Sequence, residues 1–288
     1  MAPTTPTDER VSAADAVRRF LDVLKVESVG DDIFRAWNPP QPGRGRLPLF
    51  GGQVAAHALG AAASTVDAPH VLHSLHGYFL RPGKDDATTT LKVQRLRDGK
   101  SFTTRSVVAL QDDEAILSLT ASFHKDEPGG EFATGPAADI PSPEELLAHV
   151  SPSTWPWGAD SPFERLEVPE FSHARMSEQP RRAMWIRLKS RIDDDPHLHA
   201  CVLTYVSDMG VLGAVRAAVG GRRESGMTAS LDHAVWFHRR ARADEWLLFD
   251  VSARTNAGSR GLGIGTMHTV DGVHAATISQ EGVIRLPS

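Results

Sequence analysis

The chain has 288 residues, enough for two domains or two fused half-domains, and 41% of them are hydrophobic, as in a folded globular protein. Thirty-one basic residues against 36 acidic ones leave a net charge of -5, which argues against a dominant electrostatic affinity for nucleic-acid phosphates. The single cysteine, Cys201, excludes an intramolecular disulfide and a multi-cysteine zinc site. Residues 1–10 lack the basic and apolar regions of a secretory signal, and no run approaches the ~18 consecutive apolar residues of a membrane span. A reducing cytoplasm is the expected compartment.

In chain order, residues 1–11 are rich in Pro and Thr. Residues 12–25 read as a leading helix capped by Ser12, with Ala16, Val17, Phe20, Leu21 and Leu24 on one face. A small-residue helix follows over about 51–66, through Val54, Ala55, Ala58, Leu59 and Ala62, and then four strands over 71–80, 88–96, 102–110 and 115–123. Six of the 19 prolines cluster between Asp126 and Pro156, which marks a linker with one short helix at 143–149. Beyond it come strands at 184–191 and 200–206, and a helix over about 208–219 carrying Val211, Leu212, Val215 and Val219. Four further strands follow at 229–238, 246–253, 262–269 and 273–280. Cys201 then falls in a strand as a small buried residue.

The two flanking segments carry similar elements at a constant offset. Tyr78 and Trp236, Phe79 and Phe237, Arg81 and Arg239, and Asp113 and Asp271 are each separated by 158 residues. A helix followed by consecutive antiparallel strands, twice over, is an α+β layout. The alternation of Leu91, Val93 and Arg95 with Lys92 and Gln94 suits a sheet with one covered face. The alanines let such a sheet curve closely around the helix. The expected fold is therefore a double hotdog: an N-terminal half at 1–126, a linker at 127–156, and a C-terminal half at 157–288.

Other chemistry finds little support. There is no Gly-x-Ser-x-Gly elbow. Gly99-Lys100-Ser101 lacks the preceding glycine of a phosphate loop, and Gly261-Leu-Gly-Ile-Gly265 lacks the last glycine of a dinucleotide fingerprint. His70, His73 and His76 fall on alternating strand faces; His197 and His199 share one, without an evident third ligand.

One set of motifs is specific when taken together and in order. Phe50-Gly-Gly-Gln-Val54 opens the first central helix; His73 to Gly83, Leu96-Arg-Asp-Gly-Lys-Ser-Phe102 and Thr120-Ala-Ser-Phe123 follow. The second half supplies Ser207-Asp208, Leu231-Asp-His233, Trp236-Phe-His-Arg239, Glu245-Trp-Leu-Leu248 and Gln280-Glu-Gly-Val283. In these the chain resembles the acyl-CoA thioesterase II family of double-hotdog enzymes, from about residue 10 to 286.

The resemblance implies a catalytic Asp at the start of the second central helix, a Thr opening the next strand and a Gln in the last strand. These positions fall on Asp208, Ser230 and Gln280, with Ser in place of the family's Thr. It also implies hydrolysis of acyl-CoA to fatty acid and CoA by direct attack of water, without metal or organic cofactor, in a homo-dimer or higher homo-oligomer. The same offset carries the three positions to Phe50, Leu72 and Ser122, so one active site per chain is expected, in the second half.

In such a site Asp208 would be the general base and Ser230 and Gln280 would orient the water, with helix N–H groups available to the oxyanion. Asp208 reads equally as an ordinary cap of its own helix, Ser230 as a turn residue and Gln280 as a solvent-face polar residue. Asp232 shares a strand face with Ser230 and is a supporting candidate; His233 points the other way. Arg44, Arg46, Arg81 and Lys84 are candidates for the CoA phosphates. Two further readings remain: an acyl-CoA-binding protein of weak activity, and a hydratase or dehydratase of enoyl or hydroxyacyl thioesters. The latter wants a His near the helix start, which Asp208-Met-Gly-Val-Leu-Gly213 does not supply.

Overall fold

Ser12 opens the first helix, α1 (Ala13–Leu24), by accepting the Asp15 backbone N–H, and Ala16, Val17, Phe20 and Leu24 form its buried stripe. The structure, a computed structural model, describes residues 11–39, 48–137, 140–153, 158–168, 180–220 and 226–286. Strands β1 (Glu27–Gly30) and β2 (Ile33–Trp37) form a hairpin that leads toward α2 (Gly51–Ala63). Alanine and glycine dominate α2, so it is buried nearly all round, lying against β2 and the four strands that follow it. His57 Nε2–H donates to the Val23 carbonyl at 2.7 Å and ties α2 to α1. Burial holds that imidazole neutral, its pKa pushed down to about 4.

Strands β3 (His70–Phe79), β4 (Thr88–Asp98), β5 (Phe102–Gln111) and β6 (Glu114–Lys125) complete the first antiparallel sheet. Its order is β1-β2-β4-β5-β6-β3. Helix α3 (Pro143–Leu147) follows, closed by a Ser142–Glu145 capping box. Leu146 and Ile140 pack with Trp185, Trp246 and Leu248 in a small cluster separate from the main core. The second half contains β7 (Phe163–Glu167), β8 (Arg181–Leu188), α4 (Pro196–Ser207), α5 (Val211–Ala218), β9 (Met227–Ser230), β10 (Asp232–Phe237), β11 (Leu247–Ala257), β12 (Arg260–Thr269) and β13 (His274–Arg285). Its strands follow the mirrored order β10-β13-β12-β11-β8-β7, with β9 on β13.

The antiparallel pairing of β3 with β10 joins the halves into one sheet of 13 strands. His76 lies opposite Ala234, and these two residues are 158 apart, so the pseudo-twofold axis runs through that pair. The register also slips at matching places. His73 is skipped in the pairing of β3, and Leu231 divides β9 from β10, again 158 residues on. Helix α5 lies against β11, β12 and β13 as α2 lies against β4, β5 and β6. This is the double-hotdog architecture.

Two expectations are corrected. Residues 200–206 form the body of α4 and not a strand, so Cys201, His197 and His199 sit on a helix. Asp195 caps the His197 N–H and Pro196 occupies the first turn, both ordinary helix-start signals. The segment from His199 to Ser207 is buried on every side, so it shows no helical stripe, and its short apolar run imitates a core strand. The helix expected over 208–219 is confined to Val211–Ala218, with its N-cap at Gly210 in the left-handed region (φ 92°). Residues 196–218 together are long and apolar enough to cross a membrane, with a mean hydropathy of 1.4 over an 18-residue window, but 72% of that window is buried inside the protein. It is core helix.

Gly261, Gly263 and Gly282 explain the glycine run near the end of the chain. A Cβ at those positions would lie 2.3 Å from Val215, 2.6 Å from Val211 and 2.4 Å from Leu212. The glycines flatten β12 and β13 so that α5 can seat.

Candidate active site

Asp208 ends α4 as its C-cap, in right-handed conformation (φ -82°, ψ -3°), and Gly210 turns the chain into α5. Its side chain does not cap its own helix. It crosses to the other half, where Oδ2 accepts the Gly52 backbone N–H at 2.8 Å. That donor is free because Phe50, the N-cap of α2, offers no side-chain acceptor. Asp208 therefore caps α2 from across the pseudo-twofold, and its negative charge faces the positive end of that helix.

The approach depends on two glycines. A Cβ on Gly52 would stand 2.5 Å from the Tyr205 carbonyl oxygen, and one on Gly51 would stand 2.9 Å from Asp208 Oδ2 and from the Phe79 ring. Helix α2 and α4 cross with opposite sense, Gly52 meeting Tyr205 and Gly60 facing Cys201. The start of α2 is fixed in turn by a buried amide chain. Gln53 Nε2–H donates to Asn38 Oδ1 at 2.9 Å, and Asn38 Nδ2–H donates to the Ala87 carbonyl and to Thr89 Oγ1.

Gln280, buried in β13, supplies both hydrogens of its amide. Its Nε2 donates to Asp208 Oδ1 at 2.5 Å and to Ser230 Oγ at 3.2 Å. Gln280 Oε1 is buried without a partner among the described residues. Ser230 ends β9 opposite Gly282 on β13, just before the interruption at Leu231. Since its oxygen accepts from Gln280, its own hydrogen is available to donate elsewhere. The three side chains named from the sequence thus meet at one point, and the start of α2, from the other half, closes it.

Burial raises the Asp208 carboxyl to about 6, and the Gln280 and Gly52 hydrogen bonds oppose that rise. The residue keeps a small accessible surface, as a base that must meet water requires. Asp232 takes a different part: Oδ1 accepts the Glu281 backbone N–H at 2.6 Å and pins the chain where β9 passes into β10. His233 is buried, and its Nε2–H donates to Ser207 Oγ at 2.7 Å, while that hydroxyl donates to the Thr204 carbonyl at 2.8 Å. Burial pushes this imidazole down to about 4, so it is a neutral brace on the last turn of α4, directly behind Asp208. Sequence reasoning gave no role to Gly51, Gly52, Ser207 or His233; the Gly-Gly pair at a helix start was the one available signal.

Of the four cations considered for phosphate binding, Arg44 and Arg46 lie outside the described residues. Lys84 pairs with Asp112 at 2.6 Å, and Arg81 donates to the Ala115 carbonyl and stands 3.6 Å from Glu114. Both belong to the loop after β3, which bonds the segment entering α2 through the Leu49 N–H and Gly83 carbonyl.

A carboxylate with raised pKa, an amide and a hydroxyl meet at a helix start that lacks a cap from its own half, in a double hotdog. Residues 39–124 match the family model of the acyl-CoA thioesterase N-terminal domain, and residues 143–284 match that of the C-terminal domain. The chain is 34% identical over 283 residues to mouse acyl-coenzyme A thioesterase 8, covering 92% of this chain and 88% of that protein. It is 32% identical to acyl-CoA thioesterase 2 of Haemophilus influenzae, with 94% and 99% covered. The crystal structure of the acyl-CoA thioesterase II TesB2 from Mycobacterium marinum superposes with a TM-score of 0.77 at 36% identity, covering 95% of this chain and 98% of that one. This chain belongs to the acyl-CoA thioesterase II family. It is a thioester hydrolase acting on acyl-CoA.

Proposed function

We propose that Asp208, Ser230 and Gln280 carry out that hydrolysis by direct attack of water on the thioester carbonyl. The observation that carries the reading is the bonded set of Gln280, Asp208 and Ser230 against the start of α2. Water donates one hydrogen to the Asp208 carboxylate, which takes the proton as the oxygen adds to the carbonyl carbon. Ser230 directs its free O–H at the water oxygen and leaves a lone pair aimed at the carbonyl. Gln280 holds the base and the hydroxyl at a fixed separation. Gly51 is the first residue of α2, and no partner accepts its N–H among the described residues, which makes it a donor for the developing oxyanion. Collapse of the tetrahedral intermediate expels the CoA thiolate, which takes up a proton, and leaves the fatty acid.

The remaining reading follows the same geometry. Arg81 and Lys84 stand on the loop beside the entry to α2 and suit the CoA phosphates; a cytoplasmic homo-dimer or higher homo-oligomer completes the proposal. A hydratase is less well supported, since His233 faces Ser207 and not the reacting side of Asp208. Release of CoA from straight-chain acyl-CoA substrates of increasing length, followed with a thiol-trapping dye, tests the assignment. Wild-type turnover that persists in Asp208→Asn would sink it.

A further inference from the structure

The amide chain that begins at Gln53 runs beyond the helix it steadies. Thr89 Oγ1, on β4, accepts from Asn38 Nδ2 at 2.9 Å and from Gln111 Nε2 at 3.1 Å. Gln111, the last residue of β5, then clamps the backbone of Lys84 in the loop after β3. Its Oε1 accepts the Lys84 N–H at 2.7 Å, and its Nε2 donates to the Lys84 carbonyl at 3.0 Å. The adjacent Gly83 carbonyl accepts the Leu49 N–H at 2.8 Å, one residue before the N-cap of α2. The first turn of α2 is thus held through Gln53 on one side and through Leu49 on the other. Asn38, Gln53, Thr89 and Gln111 are all buried, and none of their buried side-chain polar atoms lacks a partner among the described residues.

Stability alone does not ask for this network. The positions 158 residues on are Pro196, Val211, Leu247 and Thr269, with no amide among them. There Val211 opens α5 packed directly over Gly263, where an added Cβ would lie 2.6 Å from it. Apolar groups of matching shape can replace a buried hydrogen-bonded pair at little cost, whereas a fully satisfied polar network fixes one geometry. The two helix starts also differ in what they do. The start of α2 gives the Gly52 N–H to Asp208, while no hydrogen bond joins the start of α5 to Asp208, Ser230 or Gln280 among the described residues. The network therefore belongs to the half whose helix start closes the site.

We propose that Asn38, Gln53, Thr89 and Gln111 are positioning residues for the hydrolysis, which hold the first turn of α2 so that the Gly52 N–H meets the base and the Gly51 N–H meets the oxyanion. The inference rests on the reading of Asp208 as base and of that helix start as oxyanion donor. Its test, in the full chain, is Thr89→Val, which keeps the shape and removes the oxygen shared by Asn38 and Gln111, beside Thr89→Ser, which keeps that oxygen. Thr89→Val is expected to lower kcat on decanoyl-CoA about tenfold, with KM within about twofold. It is also expected to move the acid limb of kcat/KM to higher pH, because the Gly52 N–H that lowers the Asp208 carboxyl is drawn away. The other groups facing that carboxyl, Gln280 from β13 and the neutral His233 behind Ser207, are untouched. Thr89→Ser keeps both the wild-type kcat and the wild-type limb. Should Thr89→Val fail to fold, Gln53→Met cuts the same chain at the helix and is expected to give the same pair of changes. A folded variant in which either kcat or the limb stays at its wild-type value overturns the inference and leaves the network a structural one. Wild-type turnover in Asp208→Asn overturns instead the reading of the base on which it rests.

Discussion

Asp208 serves as base and as structural cap at once, and the two duties pull against each other. As a base with its pKa near 6, it is active when ionised, so kcat/KM falls as the pH drops through about 6. Asp208→Asn removes that limb together with at least ~10²-fold of kcat. For stability the sign reverses. A carboxyl raised from 3.8 to about 6 by burial favours the folded state most below pH 4, and that contribution is lost as the pH rises through about 6. Asparagine can keep the Gly52 N–H with its oxygen and offer its amide to the orphaned Oε1 of a flipped Gln280. The variant is therefore expected to melt higher than wild type at pH 8, with the gap closing toward pH 4, as thermal unfolding across that range will show. Ser230→Ala should lower kcat more than it raises KM. Ser230→Thr should retain activity within about 1 kcal/mol of barrier, since threonine keeps the hydroxyl and restricts χ1. Turnover on one straight and one α-branched acyl-CoA checks this. These residues were legible through motif resemblance and not through spacing: nothing periodic links positions 208, 230 and 280, and serine, aspartate and glutamine each had an ordinary structural reading.

At the scale of elements, alternation and capping gave α1, β3 to β6 and β11 to β13, whereas the short strands β1, β2 and β7 went unread and β9 and β10 were read as one. They failed at α4, which has no wet face, so a buried helix and a buried strand present the same apolar run. The tie at the far end of α2 was equally hidden. Arg105 is fully buried in β5, where it donates to Thr65 Oγ1 and to the Thr65 carbonyl just past the helix end, and pairs with Asp98 at 2.5 Å. A lone arginine in an alternating strand gives no sign of this. Arg105→Met should cost about 2–3 kcal/mol, because it strands a buried carbonyl and hydroxyl, and urea unfolding will measure it. Gly52→Ala should cost about 1–3 kcal/mol through overlap with the Tyr205 carbonyl, and should abolish hydrolysis as α2 is pushed off Asp208. Loss of stability without loss of turnover would separate the contact from the chemistry.

Across the whole molecule, the constant offset in a handful of aromatic, basic and acidic positions was enough to expose the duplication, because both copies keep the same strand register about the His76–Ala234 pair. What the offset could not reveal is how the halves share one site. The second half holds Asp208, Ser230 and Gln280, and the first half holds the helix start that closes them. A fragment of residues 143–288 should accordingly show no hydrolysis, although it contains all three side chains. Co-expression with residues 1–142 should restore turnover. Activity in the isolated fragment would mean that α2 contributes nothing to the reaction.

The borrowed cap of α2 also bears on descent. A separate half-length ancestor would have had to satisfy that helix terminus within each copy or by pairing with a twin. Here the acceptor is lodged in one copy and the donors in the other, behind glycines that tolerate no side chain. Restoring a cap at position 50 would crowd the base, and removing the base would bare the helix. The arrangement works as a ratchet: two copies that began as equals can continue to diverge, but they can no longer part.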